Sequence, residues 1–303
     1  ATASGRTMSD LAARADWLFP NAATPLGSSA YYSVRFSPAP LRDDLALVLA
    51  CHREIRSVLV DCSDPRVAAL KLQWWREELE RTYADSPRHP LSRWLAPVIR
   101  QRGLPKTPFE QIAGQTEAEV LRPGHADETA LANACDRVTG GLFELLARCH
   151  GVEDPQALTD VRRMGTFCGL TYCIRGVGAS LRRGRRVIPD NLLQEAGLMP
   201  DRIGAAEASP KTRALLRRMA QRARQAAPEH ARRRAGLPDC VAVRTGILRA
   251  LLDELERSDF EVLDRHLGLT PLRKLWIAWR ISRAPTLKRR GVGSGRRNLE
   301  VRP

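Results

Sequence analysis

Apolar residues recur along this chain at intervals of three and four, and no strand-type alternation survives for more than a few residues. The pattern predicts helices over residues 9–19, 42 to near Pro65, 67–83, 91–102, 109–121, 130–149, 157–178, 211–234, 241–257 and 271–281. Punctuation agrees with these limits: Pro20, Pro65, Pro87, Pro90, Pro105 and Pro108 fall between segments, Gly151 follows one, and Pro228 interrupts another. Within 67–83, Leu70, Leu72, Trp75 and Leu79 lie on or near one stripe, the mark of a helix packed by one face. The expected architecture is all-α. We expect an extension with a short helix over 1–28, one helical domain over 29–281, and a basic, disordered tail over 282–303, because no linker-like composition appears before the tail.

Composition narrows the function. At 303 residues with 43% hydrophobic content the chain can build a sizeable core. No apolar run reaches the ~18 residues of a membrane span, and residues 1–19 lack the ordered regions of a signal peptide. A cytoplasmic protein is expected, peripheral at a membrane through its tail, or a mitochondrial matrix protein in a eukaryote. The seven cysteines and six histidines are scattered, with no CxxC or HExxH, which argues for reduced, buried thiols and against zinc. The formal net charge is +15, and seven basic residues against Glu300 give the stretch from Ser282 onward +6 of it. Such a tail is a solvated segment or a contact for anionic membrane; without aromatics it offers no stacking platform for nucleic acid.

One stretch carries the candidate chemistry. Between Asp160 and Asp190 there is no carboxylate, while Arg162, Arg163, Arg175, Arg182, Arg183, Arg185 and Arg186 all fall inside. An anion site built here uses guanidinium groups and not a carboxylate-held metal.

The order of features over residues 29–280 resembles the squalene/phytoene synthase family. Four segments carry the likeness. Residues 29–42 resemble the family's opening Ser-Tyr segment, 47–61 its first motif helix, 71–91 its Leu-x-x-Trp helix with a His-Pro turn, and 169–189 its Leu-Thr, Ile-Arg, Arg-Arg-Gly-Arg and Pro spacing. The resemblance implies an isoprenoid-synthase helical bundle around a central cavity, where two DxxxD motifs hold magnesium against the diphosphates of two prenyl substrates. Residues i and i+4 share a helix face, so such a pair can reach one ion cluster. On this alignment the first acid pair falls on Arg56 and Val60, or on Ile55 and Leu59 one residue back, and the second on Gly176 and Ser180. Asp61 and Asp64 lie nearby, where Pro65 should end the helix. No catalytic pair is intact, and magnesium is a cofactor only if the chain is active after all.

What remains implies a diphosphate site without its metal. The anion-binding candidates are Tyr32, Ser33, Arg53, Arg175, Arg182, Arg183 and Arg185, with Tyr31 beside them; cavity-wall candidates are Trp74, Trp75, Phe167, Thr171 and Ile174. The bland reading pairs the arginines with Glu54, Glu77, Glu78 and Glu80, and makes the tryptophans and Phe167 simple core. The end of the chain, 258–280, also resembles the squalene-synthase-like assembly factors of mitochondrial complex I, with an Asp-Phe pair and a helix closing on Trp-Arg. Three functions follow: a non-catalytic binder of a lipid-like or prenyl diphosphate ligand or a protein partner, an active prenyl transferase with an altered site, or a basic adaptor for anionic membrane or nucleic acid.

Overall fold

The computed structural model describes residues 16–199, 209–227, 237–264 and 267–283. Among them are thirteen α-helices and no strand: α1 (Ser29–Arg35), α2 (Arg42–Asp61), α3 (Pro65–Tyr83), α4 (Pro90–Arg102), α5 (Lys106–Leu121), α6 (Glu128–Cys135), α7 (Gly141–Cys149), α8 (Pro155–Arg175), α9 (Val177–Leu181), α10 (Asp190–Glu195), α11 (Pro210–Ala226), α12 (Asp239–Arg257) and α13 (Pro271–Ser282). The all-α expectation holds.

Local chemistry starts these helices where the sequence suggests. Asp64, Asp154, Ser209 and Thr270 each accept an N–H of the first turn, and each is followed by a proline whose missing N–H costs nothing there. Ser28 and Asp127 cap α1 and α6 in the same way. Gly103, at φ 58°, takes the left-handed conformation that ends α4.

Three expectations are corrected. Asp16 to Phe19 are turn and bend, so a helix over 9–19 does not reach its predicted end; residues 1–15 lie outside the described ones. The helix expected over 130–149 is broken into α6, a π-helical turn (Asp136–Gly140) and α7. The cause is a close crossing: a Cβ on Gly165 of α8 would meet the Thr139 carbonyl oxygen at 2.5 Å and Gly140 Cα at 2.6 Å. The wide turn admits that contact and turns Asp136 toward Arg162, whose Nη2 donates to Oδ2 at 2.6 Å. The helix expected over 157–178 ends at Arg175, and Gly176 separates it from the short α9. Helix α11 stops at Ala226, in keeping with the interruption expected at Pro228, and residues 228–236 lie outside the described ones.

Two helices are buried nearly all round. In α2 every residue from Leu45 to Cys51 is buried, and α8 buries Leu158, Val161, Met164, Phe167, Cys168, Leu170 and Ile174. A helix apolar on every side belongs inside a bundle. Helix α7 packs against both, and α11 and α12 also pack on α8. The C-terminal halves of α2 and α8 carry the polar residues that form the site.

Candidate functional site

The exit of α2 carries His52 and Arg56, the exit of α8 carries Tyr172 and Cys173, and α5 supplies Glu119; these face a cavity of about 270 Å³. Its roof is made by two loops zipped together. Arg186 donates its N–H to the Pro123 carbonyl at 2.9 Å, Asp190 to His125 at 2.9 Å, and Asn191 to Ala126 at 3.0 Å. Gly124 lets the loops close, since a Cβ there would lie 3.1 Å from the Arg186 guanidinium.

Glu119 crosses the cavity as a bridge. Its Oε2 accepts Arg56 Nη2 at 2.9 Å and Arg185 Nη2 at 2.6 Å, and Arg56 Nη1 also donates to Thr116 Oγ1 at 3.2 Å. Burial alone would raise the Glu119 pKa, but Arg56 and Arg185 outweigh it and hold the carboxyl below its ordinary value. His52 sits behind Arg56 and is pushed down to about 3, by burial first and then by Arg56 and Arg244. It is therefore neutral at physiological pH, with a buried Nε2 that has no hydrogen-bond partner. His125, in the roof, is also lowered by burial. Cys135 and Cys173 meet in the wall with sulfurs 3.9 Å apart. Arg186 faces Asp190 at 3.5 Å in the outer rim. With two guanidiniums against one carboxylate at its centre, the cavity is electropositive.

The sequence-selected residues divide sharply. Arg185 faces the cavity, as do Arg56 and Ser180. Arg182 turns away and donates to the Leu263 carbonyl at 2.6 Å, Arg183 is exposed, and Arg175 lies 5.2 Å from the Tyr172 ring. Arg53 pairs with Glu54 at 2.9 Å. Tyr31 and Tyr32 line a different groove, beside α13, and buried Ser33 donates to its own helix at Ala30. Phe167, Thr171 and Ile174 are fully buried core and not cavity lining, and Thr171 donates to the Phe167 carbonyl at 2.9 Å. Trp75 is buried, Trp74 is 39% exposed, and both pack against His89. The simple pairing with Glu54, Glu77, Glu78 and Glu80 is not what the arginines after residue 175 adopt: those carboxylates take Arg53, Arg81 and Lys106 instead. Glu119 escaped the sequence reading because it lies 63 residues from Arg56, and only the fold joins them.

The lining does not fit a magnesium cluster. Hard cations need several oxygen ligands, and Glu119 is already committed to two guanidiniums. Among the described residues no group of three or more His, Cys, Asp or Glu could hold a metal.

The profile of the squalene/phytoene synthase family matches residues 24–274. This chain belongs to the squalene/phytoene synthase family. A presqualene diphosphate synthase of Sinorhizobium fredii is 29% identical over 205 residues, covering 66% of this chain and 72% of that protein. The mouse NADH dehydrogenase (ubiquinone) complex I assembly factor 6 is 22% identical over 162 residues, covering 53% of this chain and 49% of that protein. A dehydrosqualene synthase solved with a ligand superposes with a TM-score of 0.74 at 16% identity, covering 90% of this chain and 95% of that one, which shows the shared fold. The relatives of this chain therefore include both a presqualene diphosphate synthase and an assembly factor, and membership alone does not choose between them.

Proposed function

We propose that this chain is a member of the squalene/phytoene synthase family that has lost both DxxxD motifs and is non-catalytic, keeping its cavity as a metal-free seat for a diphosphate or other lipid-like anion. The observation that carries this reading is the Arg56–Glu119–Arg185 bridge. By the resemblance, the first acid pair falls on Arg56 and Val60, or on Ile55 and Leu59 one residue back, and the second on Gly176 and Ser180. Ionising a prenyl diphosphate requires positive charge that grows in effect as the leaving group departs, and in this family magnesium supplies it. Here a guanidinium stands where the resemblance puts a metal ligand, and Glu119 balances only one of the two positive charges beside it. The volume argues the same way: about 270 Å³ admits a diphosphate-sized group and not two prenyl chains.

An assembly-factor-like role with a protein partner is compatible with the same site, and the relationship to the complex I assembly factor favours it. We place the protein in the cytoplasm, or in the mitochondrial matrix if the source is eukaryotic. The opposing reading, an active prenyl transferase, is favoured by the presqualene diphosphate synthase relative. Incubation with farnesyl or geranylgeranyl diphosphate and magnesium, followed by extraction, decides between them. No C30 or C40 product is expected, and robust turnover would overturn the proposal. In parallel, thermal shift with prenyl diphosphates in EDTA should show stabilisation that Arg185→Ala reduces.

A further inference from the structure

Helix α13 presents an unusual face. At 100° per residue, Leu272, Leu275, Trp276, Trp279 and Arg283 form one stripe, while Ile277, Ala278 and Ile281 form the opposite one. The second stripe packs on the protein: Ile277 and Ala278 are buried, and both Ile277 and Ile281 reach Gly246 of α12. Lys274, also on that side, donates from Nζ to the Gly27 carbonyl at 3.0 Å and pins the helix to the turn before α1. The first stripe is open to solvent. Leu272 is 78% exposed, Trp276 54% and Trp279 45%. At the same end of the molecule Leu26, also well exposed, shares a groove with Leu275 and Pro271.

The edges of this apolar stripe are cationic. The Arg280 guanidinium lies 4.5 Å from the Trp276 ring and that of Arg283 lies 4.8 Å from the Trp279 ring. Neither arginine has a carboxylate partner among the described residues. The residues that follow, 284–303, add six basic side chains against Glu300.

We propose that this face is a docking surface for an anionic lipid bilayer, with Trp276 and Trp279 seated at the headgroup level. Indole rings prefer that boundary, where an apolar body and a polar N–H are both accommodated. Arginines stacked on them can bury their stems and turn their charge to lipid phosphates. Charge selects this occupant over a second copy of the chain, because a twofold contact on this face would bring Arg280 and Arg283 of both copies into one interface with no carboxylate to pair them. No described helix is long and apolar enough to cross a membrane, so the contact is peripheral. The proposal is independent of the cavity, and it puts the membrane contact on a folded apolar helix face.

Flotation of the full chain with vesicles of phosphatidylcholine alone, or with about a third phosphatidylglycerol, tests it. Binding is expected to the anionic vesicles only, falling with salt. Trp276→Ser with Trp279→Ser should weaken it at least tenfold, and Arg280→Glu with Arg283→Glu should do the same, with thermal stability unchanged because these side chains contribute little to the core. Brominated lipids should quench wild-type fluorescence, and Trp276→Phe with Trp279→Phe should remove that quenching. This arm reads insertion even if the serine variant misfolds. Absence of binding to anionic vesicles, full binding by the folded serine variant, or a self-associated dimer that the serine variant disperses would each overturn the proposal.

Discussion

Replacing Glu119 by Gln removes one charge and leaves two guanidiniums facing each other. Breaking a fully buried pair costs about 3–5 kcal/mol. Here the side chains of Arg56, Arg185 and Glu119 are 24%, 25% and 11% exposed, so solvent screens part of that cost and about 2 kcal/mol is expected. For a chain of 303 residues the loss corresponds to a fall in Tm of roughly 3 °C. An external anion should then recover what Glu119 supplied: at a hundred times its Kd a ligand restores about 2.7 kcal/mol, enough to offset the loss. The assay is urea and thermal denaturation of both proteins in EDTA, titrated with inorganic pyrophosphate at constant ionic strength. Glu119→Gln should melt lower without pyrophosphate, and its Tm should rise more steeply with pyrophosphate than that of the wild type, whose carboxylate competes. A variant as stable as the wild type would show that the bridge carries no energy. A destabilised variant that pyrophosphate does not rescue would refute the seat for an anion while leaving the bridge intact.

Other consequences are as direct. His52 is held near 3 against an ordinary value of 6.5, so the unfolded chain takes up a proton across that window and stability must fall as pH drops from about 6.5 toward 3; His52→Gln should flatten this limb, and an imidazole NMR titration of the native protein should show one ring unmoved above pH 4. Glu119, depressed below 4.5, adds a loss at lower pH that Glu119→Gln removes. Gly165→Ala should cost about 2–3 kcal/mol in urea unfolding, because the new methyl meets backbone atoms and not a yielding side chain; a loss under 0.5 kcal/mol would show that the crossing can open. Arg244 lies buried over the rings of Phe143 and Tyr172 with Nε and Nη1 unpartnered, so Arg244→Met should be neutral or stabilising while His52 regains a more ordinary pKa. Magnesium should leave the Tm unchanged whether or not EDTA is present.

The helices were legible because their periodicity and their caps are local. Asp64-Pro65, Asp154-Pro155 and Thr270-Pro271 announce helix starts within a few residues. The π-helical turn was not legible, since Gly140 and Gly141 sit in an apolar run that keeps helical spacing; only the approach of Gly165, 24 residues on, forces the wider turn. The arginine cluster was legible as composition and misleading as geometry. Arg182, Arg183 and Arg185 lie within four residues, yet Gly184 at φ 68° reverses the chain between them, sending one to Leu263, one to solvent and one into the cavity. Glu119 could be found only in three dimensions.

The survival of a cavity beside these charges has a physical explanation that needs no ligand. An apolar infill would strip solvent from Arg56, Arg185 and Glu119, and a charge that loses water without full pairing costs several kcal/mol. The bridge satisfies one carboxylate with two guanidiniums and leaves one positive charge uncompensated at the centre, so the space beside it stays polar and open. An open cavity is therefore what either history would leave: a retained binding site, or a vestige that cannot close around its own charges. The difference lies in the free energy of the uncompensated charge. In a retained site that charge is placed to meet an anion, and wild-type protein should gain several degrees in Tm from pyrophosphate or a prenyl diphosphate at millimolar concentration, selectively over sulfate and chloride. In a vestige, water and bulk anions already answer it, and all anions should act alike through ionic strength. Equal shifts from pyrophosphate, sulfate and chloride would thus remove the ligand from the proposed function and leave the protein-partner reading to explain why the fold has been kept.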